Sequence, residues 1–255
     1  MTTNAFDRAK LMVTSDSRWS IPYPDDLSPT HVIYVDDTNF EKISTSDKAT
    51  LVFAGDGILI DEWKTWFKNP DFAALPRTDR VQDNVLYDIS ICVVINKTGR
   101  ISYDSGNCLM HNESARFAGS GAFHARDCFV QNACAIKAIG TAGAPNADPY
   151  TGGTTQYLEL HTGVTNLIRM ESTLQDAEHE LDTRGQVMDL SNGKVTSLKE
   201  FLASRTDAQQ ALHATGVHLS APTGHQSRKW TASEKEALRT ALQEAMSDDH
   251  ENAHS

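Results

Sequence analysis

The chain has 255 residues, of which 39% are hydrophobic and 22% charged, enough apolar material for a globular core of one large domain or a domain with an appendage. The net charge of −11 disfavours nucleic-acid binding, since an acidic surface repels phosphate and the basic pair Arg228-Lys229 is too small to offset it. No apolar run is long enough to cross a bilayer, and no charged n-region with an apolar block opens the chain, so a cytoplasmic protein with its four cysteines reduced is expected.

In chain order, residues 2–7 and 10–15 read as a tight β-hairpin with Leu11, Met12 and Val13 in its second arm. Residues 20–29 carry three prolines and read as a surface loop, not a central strand. The β-branched runs at 31–35 and 50–54 predict strands, the second ending at Gly55-Asp56-Gly57. Residues 59–68 predict a helix with Trp63, Trp66 and Phe67 on one face, stopped by Asn69-Pro70. Residues 89–95 and 100–103 form a second hairpin around Lys97-Thr98-Gly99. Residues 122–142 are helical in pattern with a break near Gln131-Asn132, and 154–160 and 164–170 read as strands.

The last third differs. Residues 171–182 and 197–213 read as amphipathic helices, 216–229 as a Gly/Pro/Ser-rich linker, and 233–246 as a helix capped by Ser233 with Glu236 three residues on. The polar residues 247–255 read as a tail. The order of elements lacks the alternation of a parallel βαβ sheet and predicts a layered α+β sandwich over 1–170, followed by a helical extension over 171–255. Removal of residues 230–255 is accordingly expected to leave the β-rich part folded.

The chemistry-bearing residues begin at Thr2. If Met1 is removed, Thr2 carries both a hydroxyl nucleophile and an α-amine with an unperturbed pKa of about 7.7–8.0, so one residue supplies nucleophile and base. Downstream come Ser15-Asp16-Ser17-Arg18, Phe40-Glu41-Lys42-Ile43, Phe53-Ala54-Gly55, Gly119-Ser120-Gly121 and Asp148-Pro149-Tyr150-Thr151-Gly152-Gly153. A lysine ammonium near the threonine hydroxyl favours developing negative charge, and a carboxylate beside it holds it in place. Alternative readings stand beside these: Lys42 as an exposed lysine with Lys48 the next candidate, and Asp16 as a structural partner of Arg18. His124 and Cys128, with Cys108 and Cys134, lack zinc-ligand pairing and read as core, so no metal or cofactor is called for. No Gly-x-Ser-x-Gly elbow is present for a serine triad.

Over residues 2–160 these motifs, in this order, resemble the proteasome β-subunit family, the N-terminal nucleophile threonine peptidases, including their simpler bacterial relatives. The resemblance implies a four-layer αββα sandwich of two antiparallel sheets. It implies Thr2 as nucleophile, Asp16 and Lys42 as the tuning pair, and the Gly55 N–H as oxyanion donor. Ser120, Asp148 and Thr151 (where the family has serine) would support the Thr2 amine, and Trp19 and Phe53 would flank a restricted specificity pocket. The implied activity is peptide-bond hydrolysis in a homo-oligomeric ring or stacked rings acting on peptides or unfolded proteins, with an ATPase unfoldase as a candidate partner. A non-catalytic scaffold and a small-molecule amidase are the alternatives. The chain departs from the family in its longer Asp16–Lys42 span, where loop 20–30 could act as a lid. It also has a shortened first hairpin, a compressed Ser120–Asp148 span and a second helix reduced to a stub near 71–82 or lost. Residues from 171 on have no counterpart.

Overall fold

The computed structural model describes residues 2–24, 28–106, 108–168, 172–205 and 218–247. A tight turn after β1 (Thr3–Asp7) leads into β2 (Met12–Ser15), the expected hairpin. These two strands, with β10 (Leu109–His111), β11 (Ala115–Gly119) and β12 (Gln156–Glu159), form an antiparallel sheet of order β10-β11-β1-β2-β12. The larger sheet takes β3 (Trp19–Tyr23), β4 (His31–Val35), β6 (Ala49–Asp56), β7 (Asp79–Gln82), β8 (Val85–Ile95), β13 (Gln186–Asp189), β14 (Val195–Ser197) and β15 (Ser220–Ala221). Its order is β14-β13-β4-β3-β15-β6-β8-β7, with β5 (Ile43–Thr45) on β6 and β9 (Arg100–Asp104) on β8.

Period-two alternation decides what each sheet face meets. From β6 and β8, Val52, Cys92 and Val94 turn inward and pack with Phe6, Val13 and Leu158 of the smaller sheet. Their neighbours Leu51, Phe53, Ile91 and Val93 turn outward. There they meet α1 (Gly57–Lys68), α4 (Leu174–Arg184), α5 (Leu198–Ser204) and α6 (Ala232–Met246) through Trp63, Leu181, Phe201 and Leu242. The outer face of the smaller sheet, Ala5, Met12 and Phe117, packs on α2 (Ala122–Asn132) and α3 (Ala135–Ala142). The result is an α+β architecture of two antiparallel sheets face to face, each with helices outside. Burial of each large apolar side chain contributes about 1.5–3 kcal/mol. No helix among the described residues is long and apolar enough to cross a membrane, and all four cysteines carry free thiols.

Several elements depart from the sequence expectation. Residues 19–23 form β3, inside the larger sheet, despite Pro22. Ser20 O accepts from Ser220 Oγ, which sets the backbone of Ser20, and of Pro22 two residues on, toward β15. β15 pairs with β3 only at Ser20, so the missing N–H of Pro22 costs no ladder bond there. Residues 71–82 hold a turn and β7, not a helical stub. The long helix breaks at Ala133, which is left-handed with φ 48° and whose carbonyl accepts from Lys10 Nζ at 2.7 Å. At 164–168 there is only a single bridge, Leu158 to Thr165, and 169–170 lie outside the described residues. The helix expected over 197–213 is α5 up to Ser204, and 206–217 and 248–255 also lie outside the described residues.

The expected boundary near residue 170 is not a structural one. β13, β14 and β15 belong to the larger sheet, and Leu238 and Leu242 of α6 are fully buried against it. Removal of 230–255 would therefore strip a covering layer from the core, contrary to the sequence expectation. α6 is also capped two residues early. Thr231 Oγ1 accepts from Glu234 N at 3.2 Å, and the Glu234 carboxylate accepts from Thr231 N at 2.8 Å, a reciprocal box that leaves Ser233 inside the helix.

Candidate active site

The first hairpin builds the site. Its register pairs Asn4 with Ser15, so Thr3 and Asp16 come next, joined by Asp16 N to Thr3 O at 3.0 Å, and Thr2 stands one residue beyond. The Asp16 carboxylate gathers five donors. Oδ1 accepts from Thr3 N at 3.0 Å, from Lys42 Nζ at 2.9 Å and from the Thr2 hydroxyl in a short contact. Oδ2 accepts from Arg18 N and Gly152 N, each at 3.2 Å.

Lys42 precedes β5, and Phe53 N donating to its carbonyl at 2.8 Å fixes its backbone. Its ammonium donates to Asp16 Oδ1 at 2.9 Å, to Asp16 O at 3.2 Å and to Arg18 O at 2.6 Å, which uses all three donors. Lys42 and Thr2 are 0% exposed and Asp16 1%. Burial lowers the Lys42 pKa, and Asp16 opposes that without cancelling it. The competing lysine, Lys48, is remote from this network and donates to Met246 O at 3.0 Å. Arg18 is not the side-chain partner of Asp16; its guanidinium forks onto Asp36 at 2.9 Å through both Nε and Nη2 and lies over the Tyr34 ring.

A second cluster sits beside the first. The Ser120 hydroxyl donates to the Asp148 carboxylate in a short contact, and Thr151 Oγ1 donates to Asp148 Oδ2 at 2.5 Å. Its bond to β1 goes to Thr3, whose hydroxyl lies 2.6 Å from that of Thr151. The nitrogen of Thr2 donates instead to Pro222 O at 2.9 Å. Glycines are required where the loop before α2 meets β1. A Cβ on Gly121 would stand 2.2 Å from Thr3 Oγ1, and one on Gly119, at φ +93°, would stand 1.7 Å from Thr2 O.

Thr2, Asp16 and Lys42 thus form one network, and Ser120, Asp148 and Thr151 another, joined through Thr3 and through Gly152. Gly55 lies in the ladder between Ile89 and Ala221, one residue from Pro222. Trp19 and Phe53 are 0% exposed within the apolar cluster under α1 and α4 and offer no surface to a ligand. The Trp19 ring lies 4.7 Å from that of Phe40 at a 30° tilt and its Nε1 donates to Phe40 O, so it braces the segment that carries Lys42. Sequence reasoning missed Thr3, legible in the Thr-Thr pair, and Pro222, which stood in a stretch whose composition reads as linker.

Chemically, the arrangement holds a hydroxyl, a carboxylate and an amine with a lowered pKa on a shared oxygen out of water, which suits a hydroxyl nucleophile. No family model matches the chain, and a search of curated proteins gave no match either.

Proposed function

We propose that the chain is a threonine-type amide hydrolase of the proteasome-like, N-terminal nucleophile kind, acting on peptide bonds through an ester on Thr2 once Met1 is removed. The observation that carries this reading is the convergence of Thr2 Oγ1 and Lys42 Nζ on one oxygen of a buried Asp16. The helices outside two face-to-face sheets agree with the four-layer fold of that group. In the reaction Thr2 Oγ adds to the scissile carbonyl carbon and its proton passes by way of the freed α-amine to the leaving nitrogen. The C–N bond breaks, and water then cleaves the ester to return the hydroxyl and release a carboxylate. Lys42 stabilises the developing alkoxide, Asp16 keeps Lys42 in position, and a backbone N–H near Gly55 would receive the oxyanion. Assembly into rings, an unfoldase partner and a cytoplasmic setting are further expectations of the same reading.

One observation favours the second reading, a non-catalytic scaffold: Thr2 is fully buried, with its nitrogen engaged by Pro222. Intact-mass analysis of the purified chain, before and after a peptide epoxyketone, separates the two. Loss of Met1 and a one-reagent adduct, absent in Thr2→Ala, is the expected result. Retained Met1 with no adduct would leave the scaffold.

A further inference from the structure

The larger sheet is continuous only because of β15. β3 and β6 do not pair with each other; β15 lies between them, antiparallel to both, with Ser220 opposite Ser20 on one side and opposite Asp56 on the other, and Ala221 opposite Gly55. The flanking backbone extends the contact. Leu219 O accepts from Gly57 N at 3.0 Å, and Pro222 O accepts from Thr2 N at 2.9 Å. Leu219 and Ala221 point to the apolar cluster under the helices, so Ser220 and Pro222, alternating with them, face the site.

Without residues 219–222, two strand edges would face each other across a one-strand gap that ends at Thr2. Such a gap accepts an extended peptide by backbone hydrogen bonds. We propose that residues 219–224 are a built-in competitive occupant of this slot, and that the chain as folded is closed until the segment is displaced by another extended polypeptide. The proposal rests on the hydrolase reading for its consequence, and on sheet geometry alone for the occupancy.

Three features mark the segment as an inhibitor and not a substrate or a mere structural strand. Its carbonyl nearest the site, Pro222 O, is bound by the Thr2 nitrogen while the Thr2 hydroxyl is turned to Asp16, so the nucleophile does not address it. Its fit is incomplete, since the hydroxyl of Ser20, 0% exposed on the site-facing side of β3, has no hydrogen-bond partner among the described residues. Leaving such a group unmet costs about 1–3 kcal/mol, which a better occupant recovers. Its far end is tethered outside the slot, where Arg228 N donates to Asp88 Oδ2 at 3.2 Å and Trp230 N to Asp79 Oδ1 at 3.3 Å, so the segment can leave while α6 stays docked.

Two variants of the full chain test this. Gly224→Val opens the slot: a Cβ at this position would lie 3.1 Å from Ser120 Cα and N, and φ is +81°. Ser20→Cys with Ser220→Cys closes it, because facing residues of an antiparallel pair lie within the Cα range a disulfide spans. The probe is a fluorescein-labelled peptide copying residues 218–224, followed by anisotropy, with hydrolysis of a fluorogenic peptide as the second readout. The tethered segment competes at an effective concentration of about millimolar. The probe should therefore bind Gly224→Val at least about tenfold more tightly than the parent chain. It should not bind the oxidised double-cysteine chain, and dithiothreitol should restore the parent behaviour. Equal binding by the oxidised and reduced forms overturns the proposal, and this arm stands even if Gly224→Val fails to fold. Thr2-dependent hydrolysis at the parent rate in the oxidised form also overturns it while leaving the hydrolase reading intact. Probe binding that opens and closes as described, with hydrolysis in none of the chains, supports the occupant and removes the hydrolase.

Discussion

The first two-thirds of the chain and its last third bury different things. Among the described residues, every buried polar or charged side chain lies between Thr2 and Gln156, including Asp16, Lys42, Asp56, Asp88, Arg116 and Asp148. From Leu174 onward the buried side chains are apolar: Leu181, Val187, Phe201, Leu219, Trp230, Leu238 and Leu242 among them. Buried charge is costly unless fully partnered, so it persists where it fixes geometry or chemistry, whereas apolar burial contributes stability with little directional demand. The first region carries the buried polar network around Thr2, Asp16 and Lys42; the last region completes the larger sheet and covers it.

Within the first region, two buried pairs behave in opposite ways. Arg116 forks onto Asp104 and donates to Asn4 Oδ1 at 2.8 Å; burial pulls its pKa down, but Cys92 and Asp104 outweigh this and the pKa is raised. Lys42 beside Asp16 has its pKa lowered, because burial wins over the carboxylate. One cation is held charged; the other is pushed toward giving up its proton, and it is the one that shares its carboxylate with a hydroxyl.

The largest effect that could break this contrast comes from removing each cation. Under the proposed hydrolase reading, Lys42→Ala should lose at least about a thousandfold in hydrolysis. It should also cost about 3–5 kcal/mol in stability by leaving the buried Asp16 carboxylate without its ion-pair partner. Arg116→Ala should show a similar stability loss in urea titration yet retain turnover per folded molecule. Equal loss of turnover in both would erase the distinction. Next, Leu242→Ala should cost about 2–5 kcal/mol with turnover unchanged, as an apolar contribution requires. A smaller cost would mean that α6 is dispensable after all.

Glu41 sharpens the comparison through pH. Burial lifts its carboxyl to about 7, against the opposing Ile168 N–H at 2.6 Å and the charge of Lys64. A folded pKa above the unfolded value of 4.5 means the folded chain binds more protons between those limits, so this group lowers stability as pH rises through that window. The loss should reach up to about 3 kcal/mol by pH 7.5. Glu41→Gln should flatten that slope in denaturation curves taken across the window, and an unchanged slope would show that Glu41 is solvated. The smallest effect lies in the last region: Thr231→Ala should cost about 1 kcal/mol by removing the α6 cap, while Ser233→Ala should cost less than about half of that.

Much of the molecule was legible in the residues. Local periodicity gave the first hairpin, β4, β6, α1 and the β8–β9 hairpin, because each buries one face or a continuous apolar run whose spacing is set by its own backbone. The Thr2, Asp16 and Lys42 trio was legible as types of residue in an order. Composition alone misread β3, since Pro22 disfavours a strand only where its missing N–H would have met a partner. It misread β15 for the same kind of reason: two residues of Ser-Ala pairing carry no periodicity, and their strand character comes from the edges on either side.

By itself, the sequence determined the alternation that sorts side chains to the two faces of each sheet, the helix stripes and the set of groups able to do chemistry, all consequences of spacing along one stretch of backbone. Only the tertiary structure decided that the Thr2 hydroxyl and Lys42 meet on one oxygen of Asp16, that Trp19 and Phe53 are core, and that residues 219–222 lie between β3 and β6. Each of those depends on which distant segments pack together, a matter of summed burial and hydrogen bonding over the whole fold that no local pattern encodes.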